Sequence, residues 1–144
     1  MRAAAFLMLC LLVSGTALAM AGRNPSQRND SFSAFWKEFK NAVITRNKKA
    51  VAALSRFPVG VSVGVPSIES STDLSRRFAE VFDQDTNAAQ CFAKTEPTAD
   101  TESPDRFSIT CPNKGDNFVV YEFEQTKMGW RFIHRQFPTK CGCR

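Results

Sequence analysis

The sequence predicts an α+β domain in which N-terminal helices pack on a curved antiparallel sheet, and three observations carry that expectation. Apolar residues between 32 and 43 recur at helical spacing. A second helical stripe runs through residues 74–82. From residue 88 onward the pattern turns to period two, the mark of strands with one buried face.

The chain opens "MRAAAFLMLCLLVSGTALAMAG", with Arg2 as a short positive region and an apolar core from Ala3 to Val13. Ala17-Leu18-Ala19 or Ala19-Met20-Ala21 then supplies the small-x-small pattern of a cleavage site. Ser14, Gly15 and Thr16 break the apolar run well short of the roughly 20 residues a membrane span needs. Residues 1–21 therefore read as a bacterial Sec-type signal peptide, with Cys10 inside it and no lipidation context. This predicts a periplasmic or secreted protein with no membrane span after cleavage. The formal charge of +5 falls to +4 once Arg2 is removed, and no basic block is longer than Lys48-Lys49 or Arg76-Arg77. A nucleic-acid partner would require a concentrated patch, so none is expected.

Residues 22–30, "GRNPSQRND", lack apolar side chains and read as a flexible leader before a single domain at 31–137. Phe32, Phe35, Trp36, Phe39 and Val43 share one helical face, and Asp30 or Ser31 is placed to cap its start. Asn47 interrupts this helix and caps a shorter one carrying Val51 and Leu54, which Pro58 stops. "VGVSVGV" at 59–65 alternates as a strand, and its glycines suggest an edge or a close backbone approach. A third helix follows through Leu74, Phe78, Val81 and Phe82, with Ser71 or Thr72 as cap and Asp73 in its first turn. Strands are expected at 88–94, 106–111, 117–125 and 129–137. The acidic stretch "TEPTADTESPD" at 95–105 reads as a mobile hairpin loop.

The last hairpin, "NFVVYEFEQTKMGWRFIHRQF", is the most informative stretch. A turn at Lys127-Met128 pairs Gln125 with Trp130 and Phe123 with Phe132, and continuing that register pairs Tyr121 with His134. Tyr121, Phe123, Trp130, Phe132 and His134 then form one aromatic face toward the helices. Glu122, Glu124, Arg131, Ile133 and Arg135 lie on the other; a turn at Met128-Gly129 would shift the pairs but keep the faces, and either turn gives a cross-strand charge pair there.

Helix, helix, strand, helix and a four-stranded meander is the order of the cystatin-like cone. In "FWKEFKNAV", "KAVAALSRFPV", "DLSRRFAEVFD" and "YEFEQTKMGWRFIHRQF" the sequence resembles the nuclear transport factor 2-like superfamily, particularly its secreted bacterial members of unknown function. The resemblance covers residues 32–137. It implies a curled sheet wrapped around the first helix, with a cavity open at one end. Members of that superfamily include isomerases, dehydratases, binding modules, assembly domains and immunity proteins, so the fold alone selects no function.

The candidate pocket of such a cone is Tyr121, Trp130, Phe132 and His134, with Trp36 from the first helix. His134 is the sole histidine, and with Tyr121 it makes the only acid–base candidate. A lone histidine on an apolar strand face is more often a packed core residue, and no nucleophile elbow or phosphate cradle is present. Cys91, Cys111, Cys141 and Cys143 lack the paired spacing of zinc knuckles, so no metal and no cofactor are expected. Four cysteines in an exported chain invite two disulfides. A meander would gather Cys91, Cys111 and the tail at 138–144 at one end of the sheet. The preferred pairing is Cys91–Cys111 with Cys141–Cys143, and the alternative ties both tail cysteines back to the two strands. The expected function is an exported small binding protein without catalysis, holding a protein partner or a small apolar ligand. One alternative is a periplasmic inhibitor or immunity-type protein acting through surface loops. Another is an isomerase- or dehydratase-like enzyme using His134 and Tyr121.

Overall fold

A computed structural model of the chain describes residues 25–62, 64–115 and 117–137. The expected signal peptide, the first residues of the leader and the tail with Cys141 and Cys143 lie outside the described residues.

Helix α1 spans Pro25–Ile44 and starts earlier than the expected cap, taking in most of the predicted leader. Proline suits a first helical turn, where no backbone donor is required. Ser31 lies inside the helix instead of capping it, donating to the Arg28 carbonyl (2.9 Å). The helix ends in a Schellman turn. Arg46 takes a left-handed φ of 55°, while the Arg46 and Asn47 amides donate to the Val43 (3.1 Å) and Ala42 (2.8 Å) carbonyls. Asn47 then caps α2, Lys48–Ala53, by accepting from the Ala50 amide (3.1 Å), as its sequence position predicts.

Strand β1 runs Ser55–Gly60, several residues before the expected 59–65, and contains a cis Phe57–Pro58 peptide. Val59 is its buried anchor, and it bridges back to Ile68 through two backbone hydrogen bonds of 2.9 and 3.0 Å. Val65, expected on the strand's apolar side, is exposed. The predicted third helix is two short ones, α3 at Ser71–Arg76 and α4 at Phe78–Phe82. Ser70 caps α3 in place of the expected Ser71 or Thr72, which lie inside the helix, and Asp73 sits in its first turn as expected. Arg77 sits at the break between them. Its guanidinium donates to the Pro66 and Ser67 carbonyls and to both Glu80 oxygens, fastening the preceding loop to α4.

Residues 88–94, expected as a strand, form helix α5 (Ala88–Lys94). Asn87 starts it by accepting from the Gln90 amide (3.0 Å). Its buried residues Ala88, Cys91 and Phe92 stand at i, i+3 and i+4, one helical face. The acidic segment leaves this helix and contributes a two-residue strand, β2 (Thr98–Ala99). Strands β3 (Arg106–Pro112), β4 (Phe118–Thr126) and β5 (Gly129–Gln136) follow near the expected positions. The sheet order is β1-β5-β4-β3-β2; β1 runs parallel to β5 and the remaining pairs are antiparallel. The α+β class and the curved sheet packed on N-terminal helices are as the sequence predicts, with the sheet mixed instead of wholly antiparallel.

Cys91 and Cys111 form a disulfide, with Cα atoms 5.7 Å apart. The expected pair forms for a different reason: it clamps α5 onto β3, and does not join two strands.

Candidate functional site

The turn at Lys127-Met128 forms as predicted, with Gly129 at φ 94° and Thr126 Oγ1 accepting from the Met128 amide. Gln125 faces Trp130, Glu124 faces Arg131, and Phe123 faces Phe132. The register then slips. Glu122 faces His134, so Ile133 is an extra residue on β5, a β-bulge, and every later side chain changes face.

The bulge separates the predicted acid–base pair. Tyr121 is fully buried and its phenol donates to the Val81 carbonyl (2.9 Å). Burial pushes that phenol well above its ordinary pKa, with the Arg135 guanidinium opposing the shift. It is a hydrogen-bond donor, not a base. His134 has turned to the outer face, where Nδ1 lies 3.2 Å from Glu122 Oε2. Glu122 Oε1 also accepts from the Gln136 side chain (2.7 Å). A proton on Nδ1 shared with this carboxylate leaves Nε2 as the ring's acceptor. The ring rests on Gly60, whose hypothetical Cβ would stand 2.5 Å from His134 Cδ2. The close backbone approach suggested by the glycines of "VGVSVGV" is thus found at Gly60.

The other candidate pocket residues are core. Phe132 is completely buried, Trp36 is 4 % exposed and Trp130 3 %. Phe39 packs against Trp36, Phe82, Phe123 and Phe132 with ring centroids 5.2–6.4 Å apart, stacked on Trp36 and tilted or edge-on to the others. Tyr121 lies 5.7 Å from Phe82 and 5.1 Å from Phe92. These rings occupy the space that the resemblance reserves for a cavity.

Two residues with a paired role went unrecognised in the sequence. Arg135, assigned to the outer face, is carried inward by the bulge and its side chain is 4 % exposed. Asp85, which no sequence pattern singles out, pairs with it at 2.5 Å, while Arg135 also covers the Phe137 ring at 4.6 Å. The signal that finds Arg135 is the long charged residue following an adjacent apolar pair, Phe132-Ile133, where alternation breaks.

Open space lies outside the cone, in grooves along the two flanks of α1. One, of about 620 Å³, is bordered by Asp30 and Glu38 together with Trp130 and Arg131. The other, of about 710 Å³, runs between α1 and the Glu96–Ala99 segment. Its floor is Phe32, Trp36 and Phe107, and its rim carries Lys37 and Lys40. Glu96 closes one end by accepting from Trp36 Nε1 (2.5 Å) and Lys40 Nζ (2.7 Å), while the ammonium lies 5.6 Å from the indole centroid. Glu96 remains 68 % exposed, so this latch is a surface contact. Among the described residues, no group of three or more His, Cys, Asp or Glu side chains could hold a metal ion, and no helix is long and apolar enough to cross a membrane.

No protein-family profile matches the sequence, and no characterised protein matches it by sequence. Solved structures do resemble it. A nuclear transport factor 2-like protein with a cystatin-like fold from Novosphingobium aromaticivorans aligns with 81 % of this chain and 84 % of its own, at 12 % identity and a TM-score of 0.48. The hexachlorocyclohexane dehydrochlorinase LinA-type3 from Novosphingobium barchaimii aligns over 80 % and 88 %, at 10 % identity and 0.46. A nuclear transport factor 2-like protein of unknown function from Pseudomonas putida aligns over 81 % and 88 %, at 11 % identity and 0.46. The likeness is one of fold. It corrects the expectation of a protein without catalysis, because enzymes stand among these structures and the fold excludes neither chemistry nor binding.

Proposed function

We propose that the chain is a small exported protein that binds an apolar ligand on the outside of the cone, in the groove between α1 and residues 96–99. The observation that supports this reading is the contrast between interior and flank. Phe39, Phe82, Tyr121, Phe123 and Phe132 are all fully buried and leave the cone filled. The flanking groove keeps about 710 Å³ over an aromatic floor, within the roughly 300–1,000 Å³ usual for small-molecule sites. Its geometry follows from the helix period, since Asn29, Phe32, Ser33, Trp36, Lys37 and Lys40 form one stripe of α1. Export would place this groove where small amphiphiles of the cell envelope are encountered, and the disulfide is compatible with that compartment.

The test is an amide-resolved NMR titration of the oxidised chain with 1-dodecanol below its solubility limit. Saturable shifts confined to residues 29–40, 96–99 and 107 support the reading. They should disappear in Ser33→Arg, which places a bulky side chain at the exposed groove wall. Shifts centred on the interior aromatics, or none anywhere, would sink it.

A further inference from the structure

The chemistry of the groove's closed end specifies more than apolarity. A buried indole N–H is a donor with no acceptor capacity of its own, and a lysine ammonium is a donor only. Trp36 Nε1 and Lys40 Nζ both point at one place, and both of Glu96's oxygens are used there, Oε2 by the indole and Oε1 by the ammonium. The donors come from successive turns of one face of α1, with the indole buried and the lysine side chain 26 % exposed. The acceptor comes from a segment entering β2, and its side chain is two-thirds exposed. Donors are thus preorganised, while the carboxylate that fills them belongs to an exchangeable surface side chain. In the opposite groove the corresponding indole, Trp130, donates to the Ser31 hydroxyl (3.0 Å), and Arg131 donates to the Trp130 carbonyl (2.6 Å).

We propose that Trp36 Nε1 and Lys40 Nζ form a carboxylate slot occupied by the chain's own Glu96, and that the natural ligand is a single-chain amphiphile whose carboxylate displaces it. The proposal rests on the groove reading and deepens it. The ligand's tail lies over Phe32, Trp36 and Phe107, with Lys37 on the rim adding attraction to a negative head. Replacing one carboxylate with another conserves the charge and both hydrogen bonds at the slot. Glu96 is released to water, where an exposed carboxylate is readily solvated. A neutral head of the same length cannot take Glu96's place, because it would leave the ammonium without its counter-charge, so an alcohol lies in the groove with the slot still filled by Glu96. Selectivity for the acid over the alcohol therefore resides in Lys40, and Glu96 acts as an internal competitor.

Dodecanoate and 1-dodecanol, each below its aggregation limit, separate these ideas when titrated into Trp130→Phe protein, whose remaining described indole is Trp36. Dodecanoate is expected to bind at least tenfold more tightly than dodecanol. Glu96→Gln removes the competing charge and should tighten dodecanoate several-fold with dodecanol unchanged. Lys40→Met should abolish the difference between the two, whereas Lys49→Met, an exposed lysine on α2, should not. Equal affinities for acid and alcohol, with Glu96→Gln without effect, would overturn the slot while leaving the apolar groove intact. Equal losses from Lys40→Met and Lys49→Met would reduce the preference to general attraction by a basic protein and also overturn it. Binding of neither probe would remove slot and groove together.

Discussion

At the scale of single residues, Gly60 and His134 are one fitted pair. A Cβ at position 60 would stand 2.5 Å from His134 Cδ2 and 3.1 Å from Nε2, so Gly60→Ala must displace the ring. Displacement strains β1 against β5 and pulls His134 from Glu122, at a cost of about 1–3 kcal/mol in the range of overpacking substitutions. In a His134→Ala background the same change should cost much less, and urea unfolding of the four-member cycle measures that coupling. Additive costs would mean that the ring is not what Gly60 accommodates. Tyr121 offers a second residue-scale test because it is the chain's only tyrosine. Its phenol is raised by burial, so the native state holds the proton more tightly than the unfolded chain. The contribution to stability is full below the unfolded value of about 10 and is lost as pH rises above it. Absorbance at 295 nm should therefore show phenolate appearing only with cooperative unfolding, and Tyr121→Phe should flatten the alkaline decline in stability. A simple titration near pH 10 in folded protein would contradict the buried geometry. Neither residue's partner was legible in the sequence. Alternation assigned Tyr121 and His134 to one face, and one extra residue at Ile133 moved the histidine away and put Arg135 in its place.

At the scale of elements, the readings that succeeded were those with a long period or a specific cap. The face of α1 and the Asn47 start of α2 are fixed by local chemistry, as are the turn at Lys127-Met128 and the pairs nearest it. Helix α5 was missed because its seven residues carry only three buried positions, which period-two counting absorbs as readily as helical spacing. Asn87 was the available signal, an amide side chain directly before the segment and able to cap it. Strand β1 was misplaced because its parallel partner β5 lies more than seventy residues away, and pairing at that range leaves no local mark. The Cys91–Cys111 bridge joins α5 to β3 across a sequence separation of 20. In the chain-entropy picture a loop of that size contributes about 3 kcal/mol. The unfolding free energy of the oxidised protein, extrapolated from denaturant titration, should exceed that of the Cys91→Ala/Cys111→Ala variant by roughly that amount. In that variant, hydrogen exchange should accelerate first in 88–94, since α5 loses its covalent tether while β3 keeps its pairing with β4. Uniform acceleration across the sheet would mean that the bridge supports the whole domain instead of this one helix.

At the scale of the molecule, the α+β class followed from the change of period along the chain, but the filling of the cone did not. Periodicity says which face a ring occupies and is silent on the summed volume of rings arriving from different elements. Nine buried phenylalanines among the described residues, with Tyr121 and Trp36 added, are enough to fill the space enclosed by a small curved sheet. Phe132 stands where these contributions meet, with Phe39 at 5.4 Å, Phe82 at 5.9 Å, Phe123 at 6.0 Å and Tyr121 at 6.2 Å. Phe132→Ala should cost about 3–5 kcal/mol, from lost transfer energy and the cavity left between rigid neighbours. That cavity would be lined by aromatic carbon and should stay dry, so it would accept benzene or xenon as water cannot. Melting temperatures should then rise with benzene in Phe132→Ala, and in the milder Phe132→Leu to a smaller degree, with no such response in the parent protein. The dodecanoate and dodecanol affinities of the outer groove should be unchanged in Phe132→Leu, since Phe132 does not border it. A parent protein already stabilised by benzene would mean that the cone holds usable space, and the binding site would have to be sought inside it.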